Sequence, residues 1–119
     1  MKKIVIIGSG IVGVSTAYHL AGKADVTVID RKEEGRATDA AAGIVCPWIA
    51  QRRNKAWYAL AKGGAHYYPH VVKELETEGE TDTGYKRVGT LALHEESKLD
   101  QMMERTMIRR EEAPEIGDL

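Results

Sequence analysis

The sequence predicts an α/β fold, and three neighbouring segments near the N-terminus carry that prediction. Residues 2–7 form a short β-branched, apolar run that ends at Gly8, as expected of a parallel strand covered on both faces. Residues 11–22 have apolar side chains at helical spacing and end in Gly22, a residue that commonly stops a helix. Residues 25–30 form a second β-branched run. Only a few residues separate the three segments. Short turns of this kind predict a βαβ unit with parallel strands and a right-handed crossover.

Length and composition exclude several classes of protein. The chain has 119 residues, which suits one domain, and it is 43% hydrophobic and 29% charged, too apolar for a disordered protein. The 17 basic and 18 acidic residues nearly cancel, so electrostatics give no reason to expect a nucleic acid or an anionic membrane as partner. The single cysteine, Cys46, excludes an internal disulfide and a cysteine-rich zinc cluster.

The apolar run over residues 4–14 superficially resembles a secretory signal. It contains three glycines and Ser9, however, and it is too short and too polar to span a bilayer. We therefore expect no integral membrane segment and a cytoplasmic location.

A long loop and a helix are predicted after the βαβ unit. Residues 31–53 have no clear period, and we interpret this segment as a functional loop because structureless loops of that length are uncommon in compact domains. From Asn54 an apolar stripe predicts a helix. Gly63-Gly64 and Pro69 interrupt the stripe, so we expect a break or kink there.

A third strand and a last helix are predicted near the C-terminus. Residues 85–94 alternate loosely and favour a strand. Ser97-Lys98-Leu99-Asp100 resembles a capping box, although Glu or Gln is preferred at its last place. The core face of the following helix is predicted to contain Leu99, Met102, Met103, Thr106 and Met107.

The turn between the first strand and the first helix has the pattern G-x-G-x-x-G, formed by Gly8, Ser9, Gly10, Ile11, Val12 and Gly13. The pattern alone is weak, but here it follows a strand and opens a helix inside a βαβ unit, as in a Rossmann-like dinucleotide-binding unit. Gly10 lets a pyrophosphate approach the backbone amides at the helix start, where the helix dipole favours an anion. Gly13 lets the helix lie close to the sheet.

Asp30 ends the second strand, 22 residues after Gly8. A carboxylate at that place accepts hydrogen bonds from an adenosine ribose and repels a 2′-phosphate. The neighbouring Arg31 and Lys32 complicate this interpretation, because basic side chains here can accommodate a 2′-phosphate. The acid favours FAD or NAD over NADP.

The loop over residues 35–44 contains small side chains, among them Ala42, Gly43 and Ile44 at its end. Together with the glycine motif and the acid, this loop resembles the D-amino-acid-oxidase-like family of FAD-dependent oxidoreductases, which includes glycine oxidase, sarcosine oxidase and D-amino-acid dehydrogenases. The resemblance implies that the loop lies along the flavin and its ribityl arm. The residues to which the resemblance carries over are Gly8, Gly10, Gly13, Asp30, Thr38, Ala42 and Gly43.

The resemblance also implies a domain organisation and a reaction. Residues 1–83 would form the N-terminal part of an FAD-binding domain and residues 84–119 the start of a truncated substrate domain, with Val88-Gly89-Thr90-Leu91 in its first strand. The implied function is oxidation of a small amine or amino acid by hydride transfer to FAD. The alternatives are an NAD-dependent dehydrogenase domain and a non-catalytic nucleotide-binding fragment.

The chain departs from the family in two respects. Asp39 stands where Ser or Thr is usual, and since a carboxylate beside a pyrophosphate is unfavourable, we expect it to point away and to cap a short turn through residues 40–42. Family members are also several times longer, so the catalytic residues would lie beyond Leu119. We therefore expect the isolated chain to be inactive and to self-associate through an exposed sheet edge.

The remaining candidates for chemistry are weaker. His66 and His70 are four residues apart but have no third ligand, so we expect a surface or packing role and no metal site. Cys46, beside Pro47 and Trp48, is interpreted as a small buried apolar group.

Overall fold

The computed structural model describes residues 1–50 and 54–117. They belong to two compact units, Met1–Ile44 and Val45–Leu119. The last residues of the predicted loop, 51–53, lie outside the described part of the chain. The predicted domain boundary between residues 83 and 84 concerns a longer protein and stays a prediction.

The first unit is the predicted βαβ unit. Strand β1 (Lys3–Ile7) is followed by helix α1 (Ile11–Leu20) and strand β2 (Asp25–Ile29). The strands are parallel, with Lys3 opposite Asp25 and Ile7 opposite Ile29. This arrangement confirms the α/β class and the parallel pairing.

Helix α1 ends where the sequence predicts. Its C-cap is Ala21, and Gly22 follows with φ +73°, a left-handed conformation that glycine adopts without steric cost. The Ala24 amide donates to the Leu20 carbonyl at 3.1 Å, and the Asp25 amide donates to the Lys2 carbonyl at 2.9 Å. The chain therefore leaves the helix and enters β2 beside the start of β1 within four residues.

Helix α1 covers one face of the two-stranded sheet, and glycine makes the close approach possible. A Cβ atom built on Gly13 would lie 1.9 Å from the carbonyl oxygen of Gly8 and 3.4 Å from Cγ2 of Ile6. The contact with Gly8 is with backbone, so a side chain at position 13 would push the helix away from the turn that follows β1. The predicted role of Gly13 in helix–sheet packing is confirmed.

The other side of the sheet is open. Successive residues of a strand point to opposite faces, and Ile4 and Ile6 are half-buried whereas Val5 and Ile7 are 60% and 88% exposed. Ile29 at the end of β2 is 55% exposed. In the described residues, β1 and β2 pair only with each other. The sequence predicts that β1 is covered on both faces, but within the described residues it is covered on one face only.

The second unit contains the two long helices. Helix α2 (Lys55–Thr77) begins at Asn54, whose side chain accepts a 2.9 Å hydrogen bond from the amide of Trp57. Helix α3 (Glu96–Glu112) is followed by a 3₁₀ turn, Pro114–Ile116. Few of the described residues of this unit are buried, namely Pro47, Ala65, Met102, Thr106 and Ala113. No helix in the described part of the chain is both long and apolar enough to cross a membrane.

The predicted break in α2 is wrong, whereas the alternative of a kink stays a prediction. The helix is continuous through Gly63, Gly64 and Pro69. Both glycines avoid the left-handed region, and Pro69 removes only the single N–H that would bond to the carbonyl of Ala65. The hydrogen bonds on either side hold the helix together.

The predicted third strand is also wrong, because residues 85–94 contain no strand. Gly84 and Gly89 have φ of +68° and +78°, which interrupts an extended backbone, and Val88, Leu91 and Leu93 are more than 80% exposed. A strand needs a neighbour for its backbone groups, and the described residues provide none here.

The predicted capping box of α3 does not form. The helix begins at Glu96 with Glu95 as N-cap and without a side-chain capping bond, so Ser97 lies in the first turn. On the predicted core face, Met102 and Thr106 are buried, whereas the remaining three side chains are 43–58% exposed. These exposed side chains are Leu99, Met103 and Met107.

Gly13→Ala is expected to destabilise the first unit, because its Cβ would overlap the Gly8 carbonyl. Overpacking of this kind costs about 1–3 kcal/mol. The measurement is urea unfolding followed by circular dichroism. Gly63→Ala is the matched control: this glycine lies inside α2 with open space around its Cβ position, so alanine there should raise helix stability by about 0.5–1 kcal/mol. Equal behaviour of the two variants would contradict the close approach.

Candidate dinucleotide-binding site

The glycine-rich turn, residues 8–13, forms the start of α1 and is called the phosphate loop below. Gly8 has φ +104°, and Gly10 is the extended N-cap residue of the helix. The amide of Val14 makes the first bond within the helix, to the Gly10 carbonyl at 3.0 Å. The preceding amides therefore point out of the helix end, and the first turn contains no acidic side chain that would cancel the positive end of the dipole.

Thr38 reaches the phosphate loop from the long loop after β2. Its hydroxyl oxygen accepts a 3.0 Å hydrogen bond from the amide of Ile11. A Cβ atom on Gly10 would lie 3.1 Å from the same oxygen, so position 10 has room for little more than glycine. The structure thus brings Thr38 next to the glycine motif, 27 residues away along the chain.

The carboxylate of Asp30 also contacts the phosphate loop, through Ser9. One oxygen accepts from the amide of Ser9 at 2.6 Å, and the other accepts from the amide of Lys32 at 2.6 Å. Lys32 has φ +52°, which the hydrogen bond to the Asp30 side chain stabilises as in an Asx turn. The Asp30 side chain is only 15% exposed, yet a carboxylate offers about four acceptor positions and still has room for a ribose hydroxyl.

These contacts favour the charged form of Asp30. The backbone amide of Ser9, followed by that of Lys32, lowers the pKa of Asp30 to about 2. The carboxyl is therefore an anion throughout the physiological pH range, as a hydrogen-bond acceptor for ribose hydroxyls requires.

Arg36 is the residue of this site that sequence reasoning missed. Its Nη1 lies 3.2 Å from the hydroxyl oxygen of Ser9 and 3.3 Å from a carboxylate oxygen of Asp30. Its Nε and Nη2 donate to the two carboxylate oxygens of Asp39 at 2.7 and 3.2 Å, and this contact raises the pKa of Arg36. The predicted cap by Asp39 is wrong, because its carboxylate binds this guanidinium instead.

The other predicted site residues are exposed. Arg31 pairs with Glu33 at 2.8 Å and is 81% exposed. Val12 and Ile44 are 78% and 77% exposed. Ala42 and Gly43 are exposed as well, in a segment without helix or strand.

A cleft of about 450 Å³ opens beside the loop, at the carboxyl ends of both strands. Ligands of open α/β sheets bind at that end of the strands. The donors at the helix end, the anionic Asp30 and the absence of a Cβ on Gly10 fit a dinucleotide. The lining residues are Ile7, Gly8, Ile29, Asp30, Arg31, Glu33 and Arg36.

The two histidines considered as metal ligands have other neighbours. His70 Nε2 lies 3.3 Å from a carboxylate oxygen of Glu74, and the His66 ring lies 6.4 Å from that of Trp48. The described residues contain no group of three or more His, Cys, Asp or Glu side chains arranged for a metal ion. Cys46 is half-buried and accepts a 3.4 Å hydrogen bond from the hydroxyl of Thr90.

Comparison with known proteins agrees with this geometry. A family model described as FAD dependent oxidoreductase (DAO) matches residues 3–117. The chain belongs to this family. It is 65% identical over 121 residues to YurR, an uncharacterized oxidoreductase of Bacillus subtilis. This match covers all of this chain and 32% of that protein. No solved structure gives a significant match.

Two relatives in the family have named activities. Glycine oxidase of Pseudomonas putida is 38% identical over 76 residues, or 62% of this chain and 21% of that protein. D-amino acid dehydrogenase of Bradyrhizobium diazoefficiens is 43% identical over 54 residues, or 39% of this chain and 13% of that protein. The chain thus spans a third or less of the length of these relatives.

The lowered pKa of Asp30 predicts a pH dependence of folding. A carboxyl whose pKa is depressed in the folded state stabilises the fold above its unfolded pKa and loses that effect as the pH falls through the folded value. Between about pH 4 and pH 2 the free energy of unfolding should therefore fall more steeply for the unaltered chain than for Asp30→Asn. The measurement is urea unfolding over this pH range. Asp25→Asn, an exposed carboxyl at the start of β2, is the control and should follow the unaltered chain.

Proposed function

We propose that this chain forms the FAD-binding start of an oxidoreductase that oxidises small amines or amino acids of the glycine, sarcosine or D-amino-acid type. The observation that carries the proposal is the 2.6 Å hydrogen bond from the Ser9 amide to Asp30, which brings a ribose-type acid to the open end of α1. Membership of an FAD-dependent family supports the cofactor. The names of the glycine oxidase and D-amino acid dehydrogenase relatives support the substrate class.

The chain's own residues have distinct roles in this proposal. The amides at the start of α1, apart from that of Ile11, which donates to Thr38, bind the pyrophosphate. Asp30 accepts hydrogen bonds from the adenosine ribose. The charge of Asp30 disfavours a 2′-phosphate. Arg31 and Lys32 are exposed beside it and would lie against the adenine or face water. The complete set of proposed binding residues is Gly8, Ser9, Gly10, Ile11, Val12, Gly13, Asp30, Arg31, Lys32, Thr38, Ala42, Gly43 and Ile44.

The chemistry belongs to the cofactor, and the residues described here place it. Bound FAD would supply the acceptor for the hydride that leaves the substrate carbon. Thr38 holds the loop of residues 35–44 against α1 through the Ile11 amide, and the small side chains that follow leave room for the flavin arm. Asp30 and the phosphate loop would hold the nucleotide half of the cofactor.

Gly10→Val should abolish FAD binding, because a branched side chain would fill the space between the helix start and Thr38. Binding is measured by equilibrium dialysis with flavin fluorescence on the full-length protein that contains this chain. Gly10→Ala serves as a milder variant, and Gly63→Val, in the open middle of α2, is the matched control. Circular dichroism establishes that each variant is folded. Unchanged FAD affinity in folded Gly10→Val would overturn the assignment of the phosphate loop.

The same dialysis distinguishes FAD from the alternative cofactors. FAD should bind more tightly than NAD, and NADP should bind most weakly because of the Asp30 charge. Tighter binding of NAD would favour an NAD-dependent dehydrogenase instead. FAD binding without reduction of the flavin by glycine, sarcosine or D-amino acids would favour a non-catalytic nucleotide-binding protein.

We also propose that the isolated chain self-associates through its sheet. Apolar side chains on the open face and unpaired strand edges favour association, and a lysine on an edge strand opposes it. Val5→Lys should therefore reduce the concentration-dependent association seen by sedimentation velocity. Leu60→Lys, which replaces a 79% exposed apolar residue of α2, should not. An unaltered chain that stays monomeric at high concentration would contradict the proposal.

A further inference from the structure

We propose that Arg36 is a positioning residue that makes the phosphate loop compatible with a diphosphate ligand although a carboxylate, Asp39, stands beside it. The inference rests on the proposed dinucleotide function and deepens it. Arg36 does so by binding two acids at once, Asp30 on one edge of its guanidinium and Asp39 on the other.

The guanidinium is held in one orientation by a two-point contact. Its Nε and Nη2 face the two oxygens of Asp39 at 2.7 and 3.2 Å, which is the parallel fork of a strong Arg–carboxylate pair. This contact leaves Nη1 directed toward the phosphate loop. There it donates to the hydroxyl oxygen of Ser9 at 3.2 Å and to Asp30 at 3.3 Å.

The charges explain why this arrangement matters for an anionic ligand. Asp30 and Asp39 bring two negative charges to a site that is proposed to take a diphosphate, and the guanidinium of Arg36 contacts both. Without Arg36, Asp39 would be an uncompensated carboxylate next in the chain to Thr38, whose hydroxyl contacts the Ile11 amide at the start of α1. Asp39 is 54% exposed, so solvent and salt screen part of this repulsion, whereas the Asp30 side chain is only 15% exposed.

A lysine would not perform the same task. An ammonium group is a point charge without the planar fork, so it cannot bind both oxygens of Asp39 while donating to Ser9 and Asp30. Arg36→Lys should therefore restore only part of the affinity that Arg36→Gln loses.

The test is a double-mutant cycle on FAD affinity in the full-length protein, measured by equilibrium dialysis. Arg36→Gln should weaken FAD binding by about tenfold, the effect of losing a charge-assisted contact. Asp39→Asn alone should weaken binding less than Arg36→Gln does, because it removes the repelling charge together with the fork that orients Arg36. The double variant Arg36→Gln/Asp39→Asn should regain most of the lost affinity, because the repelling carboxylate is gone.

Two further measurements separate charge compensation from a purely structural role. The loss in Arg36→Gln should shrink as salt is raised, since screening weakens the repulsion from Asp39. ADP, which has the diphosphate but no flavin, should show the same pattern as FAD. Lys98→Gln is the control. It removes a similar i,i+3 ion pair at the start of α3, with Glu95 at 2.7 Å, and should change the affinity for neither FAD nor ADP.

The outcomes that overturn the inference differ from those that overturn the proposed function. An unaltered protein that does not bind FAD contradicts the proposed function. An unaltered protein that binds FAD, with a double variant as weak as Arg36→Gln or a loss that salt leaves unchanged, contradicts the role of Arg36 alone.

Discussion

The hydrogen bond between the Ser9 amide and the Asp30 carboxylate ties the candidate site together. It joins the turn after β1 to the end of β2, next to the backbone bond from the Gly8 amide to the Ile29 carbonyl at 2.8 Å. Both contacts depend on the parallel register that places Ile7 opposite Ile29. A shift of one residue would turn Asp30 to the other face of the sheet, and the acid and the phosphate loop would no longer meet.

The parts of the structure that follow from local backbone chemistry were predictable from the sequence. The βαβ unit, the end of α1 at Gly22 and the packing role of Gly13 depend on neighbouring residues and on the steric freedom of glycine. The family resemblance named Thr38 as a site residue, but its contact with Ile11 was not predicted, because a loop without periodicity carries no signal for a partner 27 residues away. The binding roles of these residues remain predictions.

The wrong strand prediction and the missed role of Arg36 have a common physical cause, namely that a local pattern was interpreted without its tertiary partners. The alternation over residues 85–94 predicts a strand, but no neighbouring strand is present among the described residues to pair with it. Arg36 was missed because its role depends on tertiary contacts with Asp30 and with Ser9, which lies 27 residues away along the chain. One signal was available: an arginine three residues before an unusual carboxylate, Asp39, is a natural counter-charge for it.

The open face of the sheet has a consequence for how the first unit responds to heat. The heat capacity change of unfolding comes mainly from apolar surface that becomes hydrated only when the chain unfolds. Val5, Ile7 and Ile29 are already more than half exposed in the folded chain, so their unfolding adds little to this term. While the chain is monomeric, the stability of this unit should accordingly vary gently with temperature, with a broad maximum and little tendency to cold denaturation.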